Sequence, residues 1–282
     1  MTTTAPESCL QANVFHARSP ESVDAGAINA RVDRDAFAAV RGIFSPDEMA
    51  EALRSVRAGF RPELDQPAIG EAPAAVMRNF QKLAIGGAGN HWDYRPRFMR
   101  TIYNPLWEPD IYGMHAVFRR LAQVRNVLQQ KPLNHAIDTI EDGLWTAARL
   151  QHYPAGGGNI SRHRDAVIST VTGDAGVARF HQLLLLITSK GSDFTEGGAF
   201  CEAGGQTYDL ESEFRAGDIV IYDGTTMHGC WDVDPHVTPR LDTLDGRLVA
   251  LVSLYKDMSA DARAYEGYED CDVDAGAPVD EV

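Results

Sequence analysis

His163, Arg164 and Asp165 stand together in the stretch ISRHRDAVIST, and two unrelated chemistries use such a triplet. In phosphoryl transfer, an Asp after His-Arg takes the proton of the attacking hydroxyl. In metal chemistry, an imidazole and a carboxylate two residues apart take adjacent corners of one ion. The rest of the chain decides between them. A kinase works by positioning and charge neutralisation, so it also needs an Asn five residues beyond the Asp, a Gly-rich loop, an Asp-Phe-Gly triplet and a Lys-bearing strand. Here Thr170 holds the Asn position, GGAGN lacks the GxGxxG spacing, Asp193-Phe194 is followed by Thr195, and no VAIK-like strand is found. The kinase reading falls.

On a strand, alternate side chains share a face, so His163 and Asp165 project together while Arg164 turns away. A third ligand must come from elsewhere. His228, in DIVIYDGTTMHGCWDV, follows a Gly217-Asp218 turn and an apolar strand and emerges beside Gly229, where backbone can approach a site closely. The other histidines suit structural or surface roles: His152 and His181 lie inside strand runs, His236 in a Pro-flanked loop and His91 in a basic segment. His163, Asp165 and His228 together make a 2-His-1-carboxylate triad, a set that leaves positions open on Fe(II).

Arg247 opens the apolar run GRLVALVSLY and shares its strand face with Val249, Leu251 and Ser253. A guanidinium aimed into an apolar barrel is costly unless it meets an anion, and its fork suits a carboxylate. The plain alternative is a strand-end Arg that reaches solvent or a structural acid. Gln151 and Tyr153 share a face with Arg149, where they either line a pocket or pack within the sheet.

These residues need a scaffold. AFAAVRGIF reads as a short buried strand, and SPDEMAEALRSVRAGF as a helix with Ser45 as cap, Pro46 at the first helical position and Glu48 closing a capping box. A second helix is expected from about Pro109 to Gln130, where apolar residues recur at three and four. From Gly143 onward short apolar or alternating runs (LWTAARLQHY, RFHQLLLLIT, GGAFCEA, DIVIYDG, RLVALVSLY) are separated by Gly, Asp and Pro turns, which implies an antiparallel sandwich or barrel. The expected organisation is an N-terminal arm (1–30) and one domain (31–256) divided into a helical part (31–142) and a β core (143–256), then an acidic tail (257–282). The fold class is mainly β with flanking helices around a jelly-roll core.

Composition narrows the partners. The 282 residues carry 26 Lys and Arg against 40 Asp and Glu, a net charge of -14, which opposes binding to nucleic acid backbones or anionic membranes. Four scattered cysteines without a CxxC pair suggest neither a zinc cluster nor a disulfide framework. No apolar run is long enough to span a bilayer, and MTTTAPESCLQANVF lacks the pattern of a secretory signal, so the expected location is the cytoplasm. The sequence carries no reading of oligomeric state.

The order HxD, then His, then Arg resembles the Fe(II) and 2-oxoglutarate-dependent dioxygenases. LQHYPAGGGNISRHRD looks like the strand and glycine turn that lead to HxD in that family, and DFTEGGAF like the segment between its ligands. The resemblance covers roughly 149–255 and echoes weakly in FAAVRGIFSPDEMAEAL. It implies a double-stranded β-helix, a jelly roll, with iron on His163, Asp165 and His228 and with 2-oxoglutarate and O2 as cosubstrates. Arg247 would bind the distal carboxylate of 2-oxoglutarate, with Ser253 and Gln151 as further contacts. Arg247 lies later after the distal His than is usual in the family, and Arg240 is nearer that spacing, but Arg240 sits in an inserted loop whereas Arg247 has the strand. Related halogenases carry Gly or Ala in place of the carboxylate, so Asp165 disfavours halogenation and hydroxylation becomes the default, with desaturation, cyclisation or epimerisation open.

The family likeness also makes NHWDYRPRFMRTIYNPLW a wall of the active site. Arg78, Trp92, Arg95, Arg100 and Tyr153 are then candidate contacts to a small molecule carrying a carboxylate, such as an amino acid or an intermediate of specialised metabolism. Two other classes stay open: a cupin-type metal enzyme that does not use 2-oxoglutarate, and a non-catalytic jelly-roll binding protein.

Overall fold

The computed structural model of the chain describes residues 8–66, 73–85, 96–165 and 181–257. Its two sheets are built from strands numbered here in chain order. Across the larger sheet lie β1 (Val14–His16), β2 (Phe37–Arg41), β11 (Ile219–Asp223), β8 (His181–Leu186), β13 (Gly246–Lys256), β6 (Leu144–Pro154), β5 (Met99–Tyr103) and β3 (Phe80–Ala84). Across the smaller lie β10 (Gln206–Asp209), β9 (Gly198–Ala203), β12 (Met227–Val233), β7 (Gly158–His163) and β4 (Pro96–Arg97). From β6 onward the chain passes back and forth between the sheets, with β9 and β10 forming a hairpin within the smaller one; this is the winding of a double-stranded β-helix, and the pairings are antiparallel.

The run HQLLLL shows why the larger sheet sits in the middle. Leu183 and Leu185 pack under the helices Ala25–Asp35, Pro46–Gly59 and His115–Leu128, while Leu184 and Leu186 point into the barrel with Ala199, Cys201, Val220 and Leu251. A strand covered on both faces reads as a continuous apolar run rather than an alternating one. The helix at Pro46 starts as its sequence dictates: the Ser45 hydroxyl accepts from the Glu48 amide at 3.2 Å, and the Glu48 carboxylate accepts from the Ser45 amide at 2.9 Å.

Two boundaries differ from expectation. The second long helix begins at His115 rather than near Pro109, because the Asp110 carboxylate accepts from the amides of Met114 and His115 and turns the chain before the helix. The segment expected as an arm over 1–30 is folded where it is described: Val14–His16 extends the larger sheet by pairing with β2, and Ile28 is buried among the helices. Of the expected tail, all but Asp257 lies outside the described residues. Among the described residues no helix is long and apolar enough to cross a membrane.

The loop between β12 and β13 decides where β13 begins, and so where Arg247 stands. Arg100 donates to the Leu241 carbonyl at 2.6 Å, and His152 Nε2 donates to the Asp245 carbonyl at 3.0 Å. Gly246, at φ 117°, then turns the chain into the strand, where a Cβ would meet the Tyr153 carbonyl oxygen at 2.4 Å. Burial first, and then the neighbouring Arg100, push the His152 pKa down to about 3. The folded protein therefore refuses a proton that the unfolded chain accepts at about pH 6.5, so the contribution is complete above that pH and is lost as pH falls toward the folded value. Between pH 6.5 and 5.5 this linkage removes about 1 kcal/mol of stability. Denaturant unfolding across that interval should decline by about 1 kcal/mol more in the wild type than in His152→Gln.

Candidate metal centre

His163 closes β7 and His228 is the second residue of β12, and the register of the two strands sets them directly opposite one another. Their rings are 4.3 Å apart between centroids. Asp165 reaches them by a route that strand alternation does not describe. β7 ends at His163, and Asp165 is placed by its own amide, which donates to the Gly224 carbonyl at 2.8 Å. Its Oδ1 lies 3.4 Å from His163 Nε2 and its Oδ2 lies 3.5 Å from His228 Nε2. Ligand atoms of all three residues fall within 4.8 Å of one another.

The ring tautomers follow from the backbone. His163 Nδ1 is 2.7 Å from the Ser161 carbonyl and His228 Nδ1 is 2.8 Å from the Thr226 carbonyl. A carbonyl only accepts, so each Nδ1 carries a proton and each Nε2 faces Asp165. Burial lowers the His228 pKa against the opposing pull of Asp165. Burial alone would raise the Asp165 pKa, but His228, His163 and a hydrogen bond from Gln182 outweigh it and hold the carboxyl well below the usual range. Imidazole nitrogens converging on a carboxylate suit a divalent transition metal.

Gln182 was not visible as a site residue. Its Nε2 donates to Asp165 Oδ2 at 2.6 Å, its Oε1 accepts from the Ser253 hydroxyl at 3.3 Å, and that hydroxyl accepts from Arg149 Nη1 at 3.0 Å. The one sequence signal was a polar residue on the barrel face of an otherwise apolar strand. Gly229 lines the cavity, as its position beside His228 implies, and it also serves the packing of the strands. A Cβ there would meet the Phe200 ring at 2.7 Å and the Ile160 carbonyl oxygen at 2.9 Å, so the bare backbone lets β7 and β12 close up.

The triad opens into a cavity of about 160 Å³. Arg247 lines it, 2% exposed, with its guanidinium carbon 5.0 Å from the Tyr153 ring centre. Its Nε donates to Glu211 Oε1 at 2.5 Å, while its Nη2 has no hydrogen-bond partner. Gln151 and Tyr153 line the cavity as well. Ser253 sits at the other end of β13 from Arg247, in the hydrogen-bond chain to Gln182.

The remaining candidates lie elsewhere. Arg240 is exposed beside Asp242 and Asp245. Arg78 is exposed and outside the cavity lining. Arg100 is fully buried but belongs to the opposite face of β5, bound to Asp65 at 2.6 Å and to His152 Nδ1 at 2.8 Å. The face of β5 that does line the cavity carries Met99, Thr101 and Tyr103, so alternation excludes the Arg between them. Trp92 and Arg95 lie outside the described residues.

No family model matches the chain, and no curated protein matches it. Solved structures do. A Pseudomonas putida prolyl-4-hydroxylase aligns over 83% of this chain and 100% of its own at 15% identity, with a TM-score of 0.51. A prolyl hydroxylase from Trichoplax adhaerens, in complex with a hypoxia inducible factor oxygen degradation domain peptide fragment, aligns over 90% of this chain and 95% of its own at 11% identity, with a TM-score of 0.53. The fold is that of these two prolyl hydroxylases. At such identities the likeness speaks for the fold, and the site stands on its own geometry.

If Gln182 fixes the Asp165 carboxylate, Gln182→Leu should weaken Co(II) affinity about 10- to 100-fold in calorimetric titration while circular dichroism stays unchanged.

Proposed function

We propose that the protein is an Fe(II)- and 2-oxoglutarate-dependent oxygenase that hydroxylates a small molecule, such as an amino acid or an intermediate of specialised metabolism. The observation that carries the reading is the unpartnered, buried Nη2 of Arg247 in the same cavity as the His163, Asp165 and His228 donors. A metal site that only polarises or binds has no use for a guanidinium there; a dicarboxylate that chelates the metal at one end needs one at the other.

Fe(II) with 2-oxoglutarate and O2 would supply oxidative decarboxylation to succinate and CO2, coupled to oxidation of a substrate C–H bond. The chain's own part is binding and orientation. His163 and His228 would offer Nε2 lone pairs fixed by the Ser161 and Thr226 carbonyls, and Asp165 would offer a carboxylate oxygen while Gln182 holds the group in place. Arg247 would donate through Nη2 to the distal carboxylate, with Glu211 holding its Nε and fixing the plane of the fork. Ile160, Leu184, Leu251 and Cys230 make the apolar lining that limits water. The Cys230 thiol, pushed up to about 12 by burial first, stays protonated and out of the chemistry. Asp165 occupies the place that a halide would need, which supports hydroxylation over halogenation.

A second reading has one observation in its favour. The buried Arg247–Glu211 pair would look the same if it were purely structural, as in a jelly-roll metal enzyme that does not use 2-oxoglutarate.

Anaerobic addition of Fe(II) and then 2-oxoglutarate separates the two. The proposal expects a weak visible charge-transfer band that His163→Ala abolishes and whose 2-oxoglutarate midpoint rises about 10- to 100-fold in Arg247→Ala, the loss of one charge-assisted hydrogen bond. Admitting O2 should then yield succinate. Folded, iron-loaded protein that gives neither band nor succinate would leave the second reading standing.

A further inference from the structure

Arg149 is a second buried guanidinium of the cavity, 4% exposed, at the other end from Arg247. Its Nη1 donates to the Ala147 carbonyl at 3.3 Å and to the Ser253 hydroxyl at 3.0 Å, and its guanidinium carbon lies 5.3 Å from the Tyr255 ring centre. Ala147 and Ser253 are register partners, as are Tyr153 and Arg247. The two levels are six residues apart on β13, roughly 20 Å of strand at about 3.3 Å per residue. One short diacid does not engage both guanidiniums.

On the same cavity wall, diagonal to Arg149 in the β5–β6 register, lies an unused donor. Thr101 is 1% exposed, lines the cavity, and its hydroxyl has no hydrogen-bond partner. β5 and β6 pair Thr101 with Gln151 and Tyr103 with Arg149, and all four residues line the cavity. A buried hydroxyl left without a partner is costly unless something fills the place. A guanidinium fork next to such a hydroxyl is a recognition site for an oxyanion.

We propose that Arg149 and Thr101 form a second anion site, which holds a carboxylate of the primary substrate at the end of the cavity opposite Arg247. The proposal rests on the oxygenase reading for the word substrate, but not for the site itself. It gives acid recognition to the cavity rather than to Arg78 and Arg100, which lie away from it. It also links the substrate to the metal centre, because Arg149 is joined through Ser253 and Gln182 to Asp165.

The probes are small carboxylic acids and their neutral amides, phenylacetate and N-acetyl amino acids against the corresponding amides, read by thermal melting of the Mn(II)-loaded full chain without 2-oxoglutarate. Acids should raise the melting temperature by several degrees and amides should not. That rise should persist in Arg247→Gln and vanish in Arg149→Gln, and in Thr101→Val, which removes no existing hydrogen bond, the acid midpoint should increase about 3- to 10-fold. The 2-oxoglutarate charge-transfer titration provides the cross-check, with Arg247→Gln raising its midpoint far more than Arg149→Gln. Equal shifts from acids and amides, no shift from any acid, or an undiminished shift in both Arg149→Gln and Thr101→Val would overturn the site. A 2-oxoglutarate midpoint that depends on Arg149 and not on Arg247 would make Arg149 the cosubstrate anchor and overturn the assignment. Absence of the charge-transfer band in the wild type, with the acid shifts intact, would instead remove the oxygenase reading and leave the anion site.

Discussion

The pairing of β7 with β12 is the constraint on which the site depends. It sets His163 opposite His228, and the two Nδ1 contacts to Ser161 and Thr226 turn both Nε2 atoms the same way. Gly229 permits that close approach, because any side chain there would strike Phe200 and the Ile160 carbonyl. Asp165 completes the set from just beyond the strand through one backbone hydrogen bond to Gly224. Shifting this register by one residue would send one imidazole to the other face of the sheet.

Buried charge is the second organising feature, and it has several uses in this chain. Arg125 is fully buried among neutral acceptors, Thr146, Asn126 and the Val252 carbonyl, and it ties a helix to the sheet; burial pushes its pKa down to about 9. Arg100 pairs with Asp65 and ties the loop that precedes β13. Arg247 and Arg149 alone among these four line the cavity. An inward-facing arginine is therefore not by itself an anion site: its neighbours and the presence of space beside it decide. For Arg247 the deciding feature is a guanidinium nitrogen without a partner, and for Arg149 it is the unpartnered hydroxyl of Thr101, its diagonal neighbour in the β5–β6 register.

Much of this was legible in the sequence, and for definite reasons. Strand alternation and turn chemistry led to the jelly roll, and the His-x-Asp spacing named His163 and Asp165 although Asp165 is held beyond the end of β7 by Gly224, and the Ser45 capping box was correct to the residue. The position of His228 at a strand entrance, and of Arg247 on an inward face, could be read from local pattern alone. What could not be read depended on which of two faces a short strand turns inward. In β5 the basic residue faces away and Thr101 faces the cavity, and a stretch of five residues leaves that phase undetermined until its partner strand is known. Gln182 and Glu211 were likewise missed because each acts through a residue distant in sequence, Asp165 for one and Arg247 for the other.

The most direct test of the central claim is an anaerobic crystal structure of the protein with Fe(II) and 2-oxoglutarate. The account predicts iron bound by His163 Nε2, His228 Nε2 and an Asp165 oxygen, with the distal carboxylate of 2-oxoglutarate against Arg247 Nη2 and Glu211 still on Nε. Iron on other residues, or the distal carboxylate seated on Arg149 with Arg247 untouched, would contradict it.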